Sequence, residues 1–278
     1  MRALVTNDDG VASPGLAVLA DVAREVGCDV VVAAPNREYS GASASLIGHE
    51  AEGRLRLAAA RPPGLPDDVP AFAVRAAPAL ITFTASYGAF GPKPDLVLSG
   101  VNLGANTGHA TLHSGTVGAA LSAATQGITA MAVSIASPAP RHLETARAYT
   151  RRALDWLLEQ PPLGDRVLNL NVPDLPMDAV RGMRPARLAT FGAVQGRVKE
   201  KGHDYVTLTY SGLGAGTEDG SDAFLLARGW ATLTLLRAPV SDDAGVQLPR
   251  VDGHRAADWV DGGELGEVSA GRTMSPGA

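Results

Sequence analysis

The sequence contains one cysteine, Cys28, which excludes an intrachain disulfide and a zinc site built from several thiolates. It also has no apolar run long enough to span a bilayer. The first residues form a strand pattern, and no basic region followed by an apolar signal core precedes it. We therefore expect no membrane partner and a cytoplasmic location.

The sequence also has fewer basic than acidic residues. The 24 Lys and Arg residues are outnumbered by 29 Asp and Glu residues, which gives a net charge of −5 and a pI of about 5.7. This balance argues against a nucleic-acid polymer as partner, because such proteins bind by neutralising phosphates. With 278 residues, 45% of them hydrophobic, the chain is long enough for one large domain or a domain with an appendage.

The N-terminal pattern predicts a strand, a helix and a second strand. Residues 4–6 form a buried strand pattern, Ser13 and Pro14 begin a helix, Gly27 ends it, and residues 29–34 form the next strand. Two strands joined through a helix in this way lie parallel in one sheet. The alternation continues to residue 172, with predicted helices at 78–90, 114–126 and 141–159 and predicted strands at 95–99, 129–135 and 167–172.

The pattern changes after Pro173, where long helices no longer separate the strands. We interpret the β segments at 180–188, 205–210 and 231–236 as an antiparallel appendage. The chain is thus expected to be α/β and mostly parallel. We divide it into a catalytic core at 1–178, a β-rich appendage with the last core elements at 179–238, and a C-terminal arm or flexible tail at 239–278.

Two adjacent carboxylates follow the first predicted strand, at Asp8 and Asp9, with Gly10 directly after them. The carboxyl ends of parallel strands are where open α/β sheets bind ligands. Neighbouring carboxylates repel each other, and a divalent cation relieves that repulsion. Asp-Asp-Gly is also a common turn sequence, so this motif alone leaves a turn and a metal site both open.

Three later loops combine glycine with oxygen-bearing side chains. Ser40 lies in the first and Asn102 in the second, while Ser114, Gly115 and Thr116 begin a predicted helix. Free amides and the dipole at a helix N-terminus favour an anion. Together these loops suggest a metal-and-phosphate site at one sheet edge.

The candidate metal ligands are all oxygen donors, which suits Mg²⁺ or Mn²⁺ better than Zn²⁺. Ordinary turn hydrogen bonding remains the alternative for the hydroxyl and the amide of this set. The set consists of Asp8, Asp9, Ser40 and Asn102.

In their order along the chain, these motifs resemble the SurE family of survival-protein nucleotidases. The resemblance extends over about residues 1–236 and is densest in the first half. It rests on residues 6–10 (TNDDG), 14–15, 37, 40–43 (SGAS), 99–102 (SGVN), 104, 106, 114–117 (SGTV) and 171–173 (NVP).

The resemblance implies a metal-dependent phosphomonoesterase that acts on small molecules, the nucleoside 5′- and 3′-monophosphates, and some members also trim polyphosphate. It implies one Mg²⁺ or Mn²⁺ per subunit on Asp8, Asp9, Ser40 and Asn102. The implied fold is a Rossmann-like three-layer sandwich with a β-hairpin appendage, in a homodimer or homotetramer with exchanged C-terminal elements.

The chemistry of these residues then suggests roles around the phosphate. Asp8 or Asp9 would orient or deprotonate the attacking water, although direct attack by an aspartate on phosphorus stays open. His113, in the loop before the phosphate-binding helix, is a candidate proton donor to the leaving group, with ordinary loop hydrogen bonding as the alternative. The residues expected to bind the phosphate or the substrate are Asn106, Ser114, Gly115, Thr116 and His113.

Several positions depart from the family pattern. Residues 77–82 (APALIT) stand where many members have Thr-Pro-x-Asp-Cys-Val, and His113 replaces a usual tyrosine. Ser122 replaces a common glutamate, and Tyr39 stands where a basic residue often precedes Ser40. Two alternatives follow: a phosphatase with a specialised substrate, such as a modified nucleotide or sugar phosphate, or a non-catalytic nucleotide-binding protein. A dehydrogenase is disfavoured because the first βα turn lacks Gly-x-Gly-x-x-Gly.

Overall fold

The computed structural model describes residues 1–48, 50–51, 54–190, 195–211, 218–239 and 241. The chain divides into two compact units, Met1–Val240 and Ser241–Ala278. The first unit contains every helix and strand discussed below. The predicted arm at 239–278 lies almost entirely outside the described residues.

Thirteen strands are present in the described part of the chain, and nine of them form one sheet. In chain order they are β1 Arg2–Thr6, β2 Asp29–Pro35, β3 Glu50–Ala51, β4 Arg54–Leu55, β5 Leu57–Ala59, β6 Ala71–Val74, β7 Leu96–Leu103, β8 Thr129–Ile135, β9 Arg166–Val172, β10 Met183–Pro185, β11 Gln195–Lys201, β12 Val206–Ser211 and β13 Ala231–Arg237. The helices are α1 Gly15–Glu25, α2 Pro78–Ser86, α3 Gly115–Thr125, α4 Leu143–Glu159 and α5 Asp222–Leu226, with a 3-10 helix at Gly108–His113.

The main sheet has the strand order β10-β13-β9-β8-β7-β1-β2-β6-β5. Its six central strands, β9, β8, β7, β1, β2 and β6, run parallel to one another. The chain builds outward from β1 through β2 to β6, then returns to the other side of β1 with β7. This reversal between β1 and β7 is a topological switch point, where doubly wound sheets bind their ligands.

Two apolar layers hold the helices on the sheet, which confirms the predicted Rossmann-like three-layer α/β sandwich. Successive strand residues point to opposite faces, so Val5 packs with α1 and α4 while Leu4 packs with α2 and α3. Leu154 of α4 and Ile81 of α2 are fully buried in these two layers. Burial of a side chain of this size contributes about 1.5–3 kcal/mol.

The C-terminal β segments agree with the sequence interpretation only in part. The hairpin of β11 and β12 is antiparallel and separate from the main sheet. By contrast, β13 pairs antiparallel with β9, and β10 pairs parallel with β13, so both extend the main sheet and do not belong to an appendage. Alternating hydrophobicity identifies a strand but does not identify its pairing partner, which explains the difference.

Helix and strand limits otherwise agree with the sequence patterns to within a few residues. The largest extension is in β7, which continues beyond the predicted end at Ser99 to Leu103. Ser13 Oγ accepts a hydrogen bond of 3.4 Å from Gly15 N at the start of α1. None of the described helices is both long and apolar enough to cross a membrane.

Candidate active site

A tight turn follows β1, and the side chain of Asn7 closes it. Asn7 Nδ2 donates to Gly10 O at 3.0 Å, and Gly10 N donates to Asn7 Oδ1 at 3.1 Å. Gly10 has a φ of +98°, a backbone conformation that residues other than glycine rarely adopt. Because Asn7 makes the turn, the carboxylates of Asp8 and Asp9 are free for other contacts.

Asp8 is buried, with 3% of its surface exposed, and is bound by the N-terminus of α3. Thr116 N donates to Asp8 Oδ2 at 3.0 Å, and the Thr116 hydroxyl donates to Asp8 Oδ1. A Cβ atom at Gly115 would lie only 2.8 Å from Asp8 Cβ, so glycine permits this approach. Burial raises the pKa of Asp8, and the two Thr116 hydrogen bonds partly oppose that rise.

Asp9 is half-buried and lies against the end of β7. Its Oδ2 accepts a hydrogen bond of 3.2 Å from Leu103 N. Burial, followed by the negative charge of Asp8, raises the pKa of Asp9 to about 7, and Glu38 adds to the rise while the Leu103 hydrogen bond opposes it. Neither Asp8 nor Asp9 forms an ion pair with any described residue. The acidic pair therefore concentrates uncompensated negative charge.

Ser40 lies in the loop after β2, directly beside the acidic pair. Its neighbour Tyr39 donates a backbone hydrogen bond of 2.7 Å to Asp8 O. Ser40 Oγ donates to Glu38 Oε1 at 2.6 Å, so the lone pairs of this hydroxyl stay available as acceptors.

The rest of the loop is fixed against α3 and the 3-10 helix before it. Ser43 N donates to His113 O at 3.2 Å, and Ser43 Oγ donates to Leu112 O at 2.7 Å. A Cβ atom at Gly118 in α3 would come within 2.2 Å of Ser43 O. The loop that carries Ser40 therefore depends on a glycine in the neighbouring helix.

Asn102 lies near the end of β7, where the pairing with β8 shifts between Ser99 and Asn102. Its Nδ2 donates to Gly104 O at 2.7 Å, which leaves Oδ1 as the atom suited to a cation. The next residue, Leu103, supplies the amide bound by Asp9. The contacts of their chain neighbours Tyr39 and Leu103 thus bring the segments that carry Ser40 and Asn102 to the acidic pair.

The predicted phosphate residues lie at the start of α3. Ser114 is the N-cap, and its Oγ accepts from Val117 N at 3.1 Å. The Thr116 amide and hydroxyl are already engaged with Asp8, so in this structure Thr116 orients a carboxylate. His113 is exposed at the end of the 3-10 helix. Contact of these residues with phosphate stays a prediction.

Hydrogen bonds with side chains of β8 and β9 hold Asn106 in place. Its Nδ2 donates to Ser134 Oγ at 2.9 Å, and its backbone groups bond to the side chains of Asn169 and Asn171 on β9. These contacts favour a bracing role for Asn106 over a phosphate contact, which also stays a prediction.

Glu38 is a site residue that the sequence analysis did not identify. It lies two residues before Ser40, accepts the Ser40 hydroxyl hydrogen bond, and raises the pKa of Asp9 through its charge. The sequence signal that could have identified Glu38 is an acidic residue in a loop, two positions before a candidate ligand.

Asp222, at the start of α5, has a purely structural environment. It is fully buried, and its oxygens accept hydrogen bonds from Gly108 N, Ala189 N and Ala223 N at 2.8–2.9 Å. The carboxylate therefore fixes the beginning of the 3-10 helix to the segment before the hairpin.

Residues 77–82, which include apolar side chains where the family pattern has polar ones, pack in the core. Ala77, Leu80 and Ile81 are buried in the layer between α2 and the sheet. Ser122 of α3 donates to Ala79 O at 3.3 Å. The two departures therefore contact each other, and they form an uncharged wall between α2 and α3.

Comparison with known proteins agrees with this arrangement. A family model described as survival protein SurE matches residues 3–193. The crystal structure of the SurE protein from Aquifex aeolicus is 27% identical, with a TM-score of 0.73, and the match covers 87% of this chain and 95% of that one. The SurE family is known for nucleotidases and phosphatases. By fold, by motif order and by the extent of these matches, the chain belongs to the SurE family.

Proposed function

We propose that this protein is a metal-dependent phosphomonoesterase that hydrolyses nucleoside 5′- or 3′-monophosphates to nucleoside and phosphate. The observation that carries the proposal is the meeting of four oxygen-bearing residues at the switch point of the sheet. Asp8 and Asp9 form one side of this group, and the contacts of Tyr39 and Leu103 bring Ser40 and Asn102 to it.

The donor set fits one Mg²⁺ or Mn²⁺ ion. Two carboxylates, a hydroxyl and an amide oxygen are hard ligands, and the described residues offer the carboxylates no cationic partner. Burial and the charge of Asp8 raise the pKa of Asp9, which means that its ionised carboxylate is destabilised. A divalent cation bound here would stabilise that carboxylate. When bound, the ion would supply Lewis-acid activation of the phosphate and of a water nucleophile.

The surrounding residues then have distinct tasks. The Thr116 hydrogen bonds fix the orientation of Asp8, while Asp9, more exposed and with a single hydrogen bond, is placed to orient or deprotonate the attacking water. Ser114 presents a hydroxyl at the N-terminus of α3, whose dipole favours the phosphate anion, and phosphate contact by Gly115 would compete with the hydrogen bond of its amide to Asp8. His113 is the candidate donor of a proton to the leaving alkoxide.

A metal-by-substrate activity matrix on the purified protein tests this proposal. We expect phosphate release from nucleoside monophosphates with Mg²⁺ or Mn²⁺, and none in the presence of a chelator. An Asp9→Asn variant should retain the fold and lose about 100-fold or more in turnover. Asp67→Asn, on a carboxylate that is 99% exposed in the loop before β6, is the matched control. Equal turnover in Asp9→Asn and wild type would contradict the proposal.

A specialised substrate is the second candidate, and the departures from the family pattern at residues 77–82 and at Ser122 favour it. The buried residues Ala77 and Leu80 occupy positions where many relatives carry polar groups. The same matrix, extended to sugar phosphates and modified nucleotides, distinguishes the two. A strong and uniform preference for ordinary nucleoside monophosphates would reject specialisation, and metal-dependent binding without turnover would indicate a non-catalytic binding protein.

We further propose a homodimer or homotetramer in the cytoplasm, with a small-molecule phosphomonoester as substrate and no nucleic-acid or membrane partner. Light scattering of the full chain measures the assembly directly. A monomer at micromolar concentration would contradict the proposed assembly.

A further inference from the structure

Asn171 makes a double hydrogen bond to the backbone of Asn106. Asn171 Oδ1 accepts from Asn106 N at 2.7 Å, and Asn171 Nδ2 donates to Asn106 O at 2.8 Å. One side-chain amide thereby satisfies both backbone groups of Asn106, and Asn171 itself has no exposed surface.

Two further side chains complete this arrangement, which we call the asparagine clamp and define as Asn169, Asn171 and Ser134. Asn169 Nδ2 donates to Asn106 O at 3.0 Å, and Ser134 Oγ accepts from Asn106 Nδ2 at 2.9 Å. All three residues are fully buried at the carboxyl end of β8 and β9.

The clamp is in register with the candidate metal ligand on β7. Asn102 pairs with Ser134, and Ser134 pairs with Asn171, so one row of polar residues crosses three parallel strands. Asparagine is unfavourable inside a strand, and its buried polar atoms need partners. The contacts with Asn106 supply those partners for Asn171, whose neighbours Leu170 and Val172 follow the ordinary apolar pattern.

The loop that the clamp holds, residues 104–107, connects the two halves of the candidate site. It begins two residues after Asn102 and leads through the 3-10 helix to Ser114. Gly104 and Gly108, with φ of +144° and +57°, lie at its two ends. Asp222 fixes the second end through Gly108 N, whereas the middle of the loop is fixed through Asn106.

We propose that Asn171 is a positioning residue that holds loop 104–107 and thereby sets the distance between Asn102 and the phosphate end of α3. This inference rests on the proposed function for its catalytic consequence. Asn171 touches neither the substrate nor the reacting atoms in this proposal, and it acts through Asn106.

The test uses Asn171→Leu, which keeps the size of the side chain and removes both hydrogen bonds. Three quantities are measured: hydrogen exchange of the Asn106 amide, Mn²⁺ affinity of the metal-free protein by electron paramagnetic resonance, and kcat with KM for a phosphomonoester. We expect exchange to accelerate about tenfold or more and Mn²⁺ affinity to weaken about 10- to 100-fold. The turnover number kcat should fall at saturating metal.

Leu154→Ala is the matched control, because it removes a fully buried side chain of α4 outside the site. It should lower the Tm without changing exchange at Asn106, Mn²⁺ affinity or kcat. If Asn171→Leu does not fold, Asn171→Ser replaces it, since serine is too short to span both atoms of Asn106. Wild-type values of Mn²⁺ affinity and kcat in a folded Asn171 variant would overturn the proposal. Absence of phosphatase activity in the wild type would reject the proposed function alone, because exchange and Mn²⁺ binding still decide the role of Asn171.

Discussion

Neutralising Asp9 should stabilise the metal-free protein even though we expect it to lower turnover. The pKa of Asp9 is raised from 3.8 to about 7, mainly by burial and by the charge of Asp8. A carboxyl group with a raised pKa in the folded state favours folding while it is protonated, below about pH 4. This contribution is lost as the pH rises through 7, so ionised Asp9 opposes folding at pH 8.

The size of the effect follows from the displacement of the pKa. At about 1.4 kcal/mol for each pKa unit, a rise from 3.8 to about 7 corresponds to about 4 kcal/mol. Asp9 is only partly buried, so solvent screening reduces this value, and we expect about 2–4 kcal/mol. For a folded unit of 240 residues, that is a rise in Tm of roughly 5–15 °C.

The assay compares thermal unfolding of metal-free wild type and Asp9→Asn at about pH 5 and pH 8, with chelator present. The Tm of the variant should exceed that of wild type at pH 8, and the difference should shrink at pH 5. Asp222→Asn is the control, because its carboxylate accepts three backbone hydrogen bonds and its neutralisation should lower the Tm. A variant Asp9→Asn that is no more stable than wild type at pH 8 would refute the argument that uncompensated charge collects at this position.

Three other outcomes follow from the same contacts. Added Mn²⁺ should raise the Tm of wild type more at pH 8 than at pH 5, and Asp9→Asn should lose most of this rise in the same titration. Glu38→Gln should lower Mn²⁺ affinity less than Asp9→Asn does, because it removes one nearby charge and keeps an acceptor for Ser40; an equal loss would make Glu38 a ligand. Gly118→Ala should weaken Mn²⁺ binding, since its Cβ would lie 2.2 Å from Ser43 O and displace the loop of Ser40, and calorimetry showing wild-type affinity would contradict this.

The parallel core was predictable because strands and helices alternate with clear hydrophobic periodicity. Residues 129–135 were predicted as a strand with the same limits that β8 has. The strand β7 was predicted too short, because its last residues, Gly100 to Leu103, carry glycine and asparagine in place of an apolar run. Because those residues approach α1 and the acidic pair, the geometry of the site overrides the low strand propensity of glycine and asparagine.

The gathering of the four ligand positions was predictable from chain order, whereas the supporting contacts were not. Asp8 and Asn102 follow parallel strands, and such strand ends meet at one sheet edge. Thr116 was expected to bind phosphate, but its hydrogen bonds to Asp8 connect residues 108 positions apart. Neither composition nor spacing reports a pairing of that kind, and the same holds for the contacts between Asn106 and β9.

The different environments of the two neighbouring carboxylates explain why an adjacent pair serves this site better than one acid would. In the bend after β1, Asp8 meets the start of α3 while Asp9 meets the end of β7. The helix fixes Asp8 through two hydrogen bonds, which in the proposed mechanism would make it a rigid ligand with little freedom for proton transfer. Asp9, held by one hydrogen bond, keeps the freedom of movement that the proposed general base would need. A single position at this turn would have to combine rigidity with proton exchange, and the contacts here assign the two properties to separate side chains.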